Sequence, residues 1–404
     1  MVTWEAATAR RMERHGLATP VARERLARQA GAVCGIHAQV MGAGELSLAL
    51  RVEGATRADV RAALWEQHTL VKTYGPRGTV HLLPADELAS WTAALGAIPM
   101  QTQAWPEHVR FDEVRMAETV AAIGDVLAEA ELTLDELTAA LVQRCGPWAG
   151  ERTMEAFTDS WPRWRQAAIP AAHAGALCYG PPRGRAVTFT NPRRFVPGFD
   201  AALEAARQPA RLGDGAVPPP GDGAPPPGTP PPPTALVTLV RRWLTAYGPA
   251  TVDQFARWTF TQRPWAAALF DTLAAAGELE QVDFDGERAW VVAGDTAFPE
   301  AAPESVRLLP YYDAYGIGCH PRARLFPGEA AERALVRGQA GPLPLLLVDG
   351  VVAGVWRQRR TGRRLAVTVE PLSPLSAACT RALAEQVERI GAIDGTTTAL
   401  TTQI

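Results

Sequence analysis

The sequence predicts an α+β fold: three tandem winged-helix units followed by a C-terminal β-barrel-like unit. Three observations lead there. A helices-then-hairpin pattern recurs, with hairpins beginning near residues 70, 177 and 279, a repeat of about one hundred residues. The stretch VPPPGDGAPPPGTPPPP, residues 217–233, holds ten prolines in seventeen residues and cannot form a core element, so it reads as a semi-rigid linker. From Val306 onward the helical periodicity gives way to alternating strands. A chain of 404 residues is also long enough for several compact units.

The units are expected at 1–105, 106–205 and 234–300, with a Pro/Gly-rich linker at 206–233 and the β-rich unit at 301–404. The third is the clearest. ALVTLVRRWLTAY reads as an amphipathic helix, TVDQFARWT as a second helix with a Thr cap, and PWAAALFDTLAAAGEL as a third with Pro near its start. LEQVDFDGERAWVV then alternates about an Asp-Gly turn, which predicts a β-hairpin. The second unit repeats the order, from VAAIGDVLAEAE and LTLDELTAALVQR through WPRWRQAAIPAAHAGA to LCYGPPRGRAVTFT. In the first, TRADVRAALWEQH precedes LVKTYGPRGTVHLL. The last unit is marked by LPLLLVDGVVAGVWRQRRTGRRLAVTVEPL, a strand hairpin turning at Thr361-Gly362 and carrying Arg357, Arg359, Arg360, Arg363 and Arg364.

A helix-turn-helix places one helix in the major groove and fixes its register through phosphate contacts, so a tandem array suits a grip on duplex DNA. Winged helices also mediate protein contacts. Formal net charge is −3, so no uniformly basic surface is expected. Charge is local instead: residues 321–364 hold nine Arg against Glu329, Glu332 and Asp349. Lys72 is the only lysine, a bias that discounts arginine count as a signal in itself. Five scattered Cys without a CxxC pair predict reduced thiols and no structural zinc. The charged start MVTWEAATARRMERHG and the lack of an 18-residue apolar run predict a cytoplasmic chain without membrane association.

The densest chemical signal is CGIHAQVMGAGELSLALR, residues 34–51, where His37 and Gln39 interrupt an apolar, glycine-flanked run. In an extended segment the two side chains face one side, whereas on a helix they diverge. Read alone, His37 is as compatible with a core imidazole, and Gln39 with a surface amide, as with catalysis. Cys34 and His37 have C-x-x-H spacing but no second pair, so no metal or other cofactor is expected.

Together with LVKTYGPRGTVHLLPADEL, VRLLPYYDAYGIGCHPR and GVVAGVWRQRRTGRR, these segments resemble the AlkZ/YcaQ-like DNA glycosylases over nearly the whole chain apart from the proline insert. The resemblance implies a short catalytic motif, typically Gln-x-Gln or Gln-x-Asp, ahead of the RGT segment, and places His37 and Gln39 there. His at the first position departs from the commonest form and is similar to relatives that accompany the biosynthesis of DNA-alkylating antibiotics, implying self-resistance. The implied activity is a monofunctional glycosylase that cleaves bulky N7-alkylated purines from double-stranded DNA, acting as a monomer. Lys72, Tyr74, Arg77 and Thr79 match the first wing and are expected to bind DNA, with Arg322, Arg324 and the five hairpin arginines. Arg77 has an internal ion pair as its alternative, Asp313 a structural turn or a charge near the sugar, and His81 structure or substrate contact. Two rivals remain: a non-catalytic winged-helix transcriptional regulator, and a protein that sequesters the free toxin.

Overall fold

The computed structural model describes residues 1–99, 106–155, 160–212, 231–300 and 305–403. The first segment runs α1 (Trp4–Arg14), α2 (Leu26–Ala32), β1 (Ile36–His37), α3 (Met41–Leu50), α4 (Arg57–Trp65), β2 (Leu70–Tyr74), β3 (Val80–Pro84) and α5 (Leu88–Ala97). The second has α6 (Glu113–Leu127), β4 (Leu132–Thr133), α7 (Leu134–Cys145), β5 (Arg152–Glu155), β6 (Ser160–Pro162), α8 (Ala168–His173), β7 (Cys178–Arg183), β8 (Ala186–Thr190) and α9 (Phe199–Arg207). The third has α10 (Thr234–Tyr247), α11 (Val252–Thr259), α12 (Arg263–Ala275), β9 (Leu279–Phe284) and β10 (Glu287–Val292), as the sequence predicts. One device starts a helix in each: capping boxes at Thr56/Asp59, Thr133/Glu136 and Thr251/Gln254 satisfy the first orphan N–H groups reciprocally.

The final segment comprises β11 (Val306–Leu309), α13 (Ala314–Gly318), α14 (Arg322–Leu325), α15 (Glu329–Ala334), β12 (Leu345–Val348), β13 (Val351–Thr361), β14 (Arg364–Pro371), α16 (Ala377–Asp394) and β15 (Thr397–Thr402). Here the expectation of a barrel-like unit is corrected. The strands form an open sheet in the order β11-β12-β13-β14-β15, a half-barrel whose edge strands do not pair. The cause is the helix α16, which carries the chain across to lay β15 parallel to β14 and packs against β11 and β15. The unbroken LLLV run of β12 follows from burial on both faces: Leu345 and Leu347 enter one core, Leu346 the other. Those two cores tie the segments together, one joining α1, α5 and α10–α12, the other joining α2–α4 to the second segment.

Contacts also cross the expected unit boundaries. The helix α1 lies with the third segment: Val2 bridges Phe284, Trp4 stacks on Phe284, and Arg14 pairs with Asp295 at 2.6 Å. The proline-rich stretch falls mostly outside the described residues, but its flanks meet: Pro209 bridges Pro233, and Thr234 N–H donates to the Gln208 carbonyl at 2.9 Å. No helix among the described residues is long and apolar enough to cross a membrane.

Between the first and last segments lies a fully buried ion pair. The Arg51 guanidinium grips Asp313 with two bonds of 2.6 and 2.8 Å, while the Ser47 hydroxyl and the Tyr315 N–H donate to the same carboxylate. Asp313 is thus a structural acid and the N-cap of α13, and Arg51 holds its carboxyl below the usual range against the opposing effect of burial. Asp313→Ala leaves a buried guanidinium uncompensated; the expected loss is about 3–5 kcal/mol of unfolding free energy, read from the urea midpoint at unchanged m-value.

Candidate active site

His37 sits on β1, a two-residue strand that pairs antiparallel with β3 so that His37 faces His81 and Ile36 faces Leu82. Two glycines make room. Gly35 adopts φ +96°, which an L side chain rarely reaches, and a Cβ at Gly44 would lie 2.9 Å from the His37 carbonyl oxygen. The strand therefore runs against the first turn of α3 at backbone contact. Gln39 follows on the bend between β1 and α3 and is exposed, while Ala38 between them is buried and donates its N–H to the Val80 carbonyl.

The His37 ring lies stacked on Tyr312, centroids 4.8 Å apart and 29° between planes, and meets His81 edge-on at 5.4 Å. Burial, then the nearby Arg77 charge, push the His37 pKa down to about 4, so the ring is neutral at pH 7. His81 is likewise pushed down to about 3 by burial and by its neighbour His37, and its Nδ1 donates to the Thr79 carbonyl at 2.9 Å. Neither His37 nor Gln39 has a side-chain hydrogen-bond partner among the described residues. Their hydrogen-bonding groups are therefore unused among the described residues.

The expected DNA-binding residues divide. Arg77, exposed and left-handed at φ +62°, has no acidic partner among the described residues, so the internal ion pair considered for it does not form. Lys72 is corrected: strand alternation sets it on the sheet face opposite His81, with its ammonium 4.9 Å from the Tyr179 ring centroid. Tyr74 is buried and its hydroxyl accepts from Arg165 at 3.2 Å; the Thr79 hydroxyl donates to the Pro76 carbonyl. Arg322 is committed to the Gly316 and Ile317 carbonyls at the end of α13, Arg324 to Asp285 at 2.6 Å, and Arg357 to Glu370 and Gln403. At the tip of β13–β14, Arg359, Arg360, Arg363 and Arg364 are exposed and without an acidic partner among the described residues.

Sequence reasoning missed Tyr312, although it stands in PYYDAY beside Asp313; aromatic residues bracketing a buried acid were the available signal. It also missed Arg257 on α11, which, with Arg322 and Arg11, holds the His320 pKa down beyond what burial does.

A neutral imidazole and an unpaired carboxamide, with the Arg77 charge beside the imidazole, are groups suited to hydrolysis of a polyanionic substrate. A family model described as DNA glycosylase AlkZ-like matches residues 30–393, and the chain belongs to that family, enzymes that hydrolyse N-glycosyl bonds in DNA. It is 30% identical over 374 residues to an interstrand DNA cross-link repair glycosylase of Streptomyces sahachiroi, covering 88% of this chain and 87% of the relative. The solved structure of Streptomyces sahachiroi DNA glycosylase AlkZ matches over the whole of both chains, with a TM-score of 0.74 and 25% identity. Membership in this family favours the enzyme over the transcriptional regulator.

In an NMR pH titration His37 is expected to stay neutral until its midpoint at about 4, far below the roughly 6.5 of a solvated imidazole. Arg77→Gln should move that midpoint upward, because it removes a charge that disfavours the imidazolium. A midpoint near the solvated value, indifferent to Arg77, would contradict the assigned environment.

Proposed function

We propose that this glycosylase removes bulky N7-alkylated purines from double-stranded DNA as a monomer in the cytoplasm, leaving an abasic site and protecting against a DNA-alkylating antibiotic. The single observation that carries the reading is the neutral His37, stacked on Tyr312, with Gln39 unpaired two residues on at a cleft mouth. An N7-alkylated purine is already cationic, so its departure needs no strong general acid. What it needs is a water placed against the anomeric carbon. His37 accepts one hydrogen bond from that water and the Gln39 carboxamide oxygen accepts another. As the water oxygen bonds to C1′, the C1′–N9 bond breaks and its electron pair neutralises the purine; the proton released passes to His37 or solvent. A base with a pKa of about 4 suffices, since water bonded to the sugar cation is itself strongly acidic.

The position of Lys72 supports the monofunctional reading. The only lysine of the chain lies on the sheet face opposite His37, with its ammonium over Tyr179. The relative named for interstrand cross-link repair supports a covalent lesion of duplex DNA as the substrate class. The three helices-then-hairpin segments are read as winged-helix units lining the duplex, with Arg77 and the arginine tip on its phosphates or minor groove.

His37→Ala and Gln39→Ala should each slow single-turnover excision of N7-alkylguanine by roughly a hundredfold or more, with duplex Kd altered less than about twofold because neither touches a phosphate. Alkali cleavage of the abasic product and a gel-shift titration measure the two effects; parallel loss of both would refute the roles. Replacing Arg359, Arg360 and Arg363 together with Ala should weaken duplex binding and reduce the slope of log K against log salt by about 2–3. An unchanged slope would remove the hairpin from the interface.

A further inference from the structure

A cleft of about 1580 Å³ opens beside the proposed catalytic pair, with Gln39, Tyr74, Arg77 and Gly78 among its lining. Ligand pockets usually measure about 300–1,000 Å³, so this space far exceeds what an alkylated base requires. Its lining is apolar at Phe111 and Met116, Met154 and Trp161, Ile169 of α8, and Phe260 at the end of α11, and charged at Arg77, Arg110, Asp112 and Glu113. Two of the six methionines of the chain line it, and methionine suits irregular, aromatic-facing surfaces.

Phe260 is the exposed C-cap of α11, left-handed at φ +59°, and stands in the lining of the cleft. His173 also lines the cleft, with a ring that burial keeps neutral at a pKa of about 4. Nearby, Arg165 lies over the Trp161 ring at 4.3 Å and donates to the Tyr74 hydroxyl, which holds the aromatic wall in place.

Of the catalytic pair it is Gln39 that lines the cleft, whereas the His37 ring is covered by Tyr312. We infer that this cleft receives the appended group of the lesion, an extended aromatic N7 substituent, while the alkylated base stays at His37 and Gln39. The inference rests on the proposed N7-alkylpurine activity and adds the subsite that selects among such adducts. Small alkyl adducts leave the cleft empty and forgo its binding.

The test compares duplexes with a single N7-methylguanine or a single N7-(pyrenylmethyl)guanine, in wild type, Ile169→Trp and Phe260→Ala. Ile169→Trp fills the cleft, and Phe260→Ala, at an exposed position, covers the case in which the first variant fails to fold. The ratio of kcat/KM for the pyrenylmethyl over the methyl substrate should fall at least about tenfold in each, a loss typical of one removed apolar contact. An unchanged ratio, or lost affinity for undamaged duplex, overturns the subsite, the latter by making the cleft part of the DNA path. Should wild type release neither base, the proposed activity is wrong. Pyrene anisotropy with free N7-(pyrenylmethyl)guanine then judges the cleft alone: binding weakened by both variants supports it, and no binding overturns it.

Discussion

The ion pair between Arg51 and Asp313 is the constraint on which the site depends. Burying two charges is expensive, and the expense is met only where geometry is close and every remaining lone pair is used. Here a two-pronged guanidinium, the Ser47 hydroxyl and the Tyr315 N–H saturate one carboxylate. Arg51 ends the helix that begins just after Gln39, and Asp313 directly follows Tyr312. One contact therefore fixes both the bend that carries Gln39 and the aromatic ring stacked on His37. Opposite, the Tyr247 hydroxyl donates to the Val33 carbonyl at 2.8 Å, and Arg11 gathers the carbonyls of Tyr247, Pro249 and His320. The strand bearing His37 is thus held from the third and fourth segments as well as its own, and no single unit contains the site.

On the proposed reading, that arrangement accounts for so weak a base beside the water nucleophile. Burial and Arg77 together keep the imidazole neutral, so the cation that would attract a phosphate also protects the acceptor from protonation. A strongly basic residue so close to arginine would be protonated or paired. For a leaving group that departs neutral, orientation matters more than basicity, and a ring clamped between Tyr312 and His81 has little freedom to lose.

How much of this the sequence discloses depends on range. Features set by a few neighbouring residues are legible: the Thr251/Gln254 capping box, Pro264 near the start of α12, and the Asp-Gly turn between β9 and β10. The pairing of His37 and Gln39 was legible as an anomaly, a polar pair in an apolar run. Contacts made across hundreds of residues were not. Nothing local announces that Arg51 meets Asp313, 262 residues away, that α1 docks on the third segment, or that α16 leaves the last sheet open. The second segment shows the same limit: the small β5–β6 hairpin has no strong turn dipeptide, and its pairing is irregular.

Arginine illustrates why composition misleads in a chain with one lysine. The same side chain serves as an internal clamp and as an external charge, and only its partners tell them apart. Arg322 and Arg389 fasten backbone carbonyls, the latter those of Ala49, Val52 and Ala55, and Arg324 and Arg357 are neutralised by acids. Subtracting these leaves Arg77 and the β13–β14 tip among the arginines without an acidic partner among the described residues, although the chain as a whole is mildly acidic. Arg77 is the charge that bears on the His37 imidazole. On the proposed reading, grip falls to the tip and chemistry to His37 and Gln39, so the two are carried by different elements.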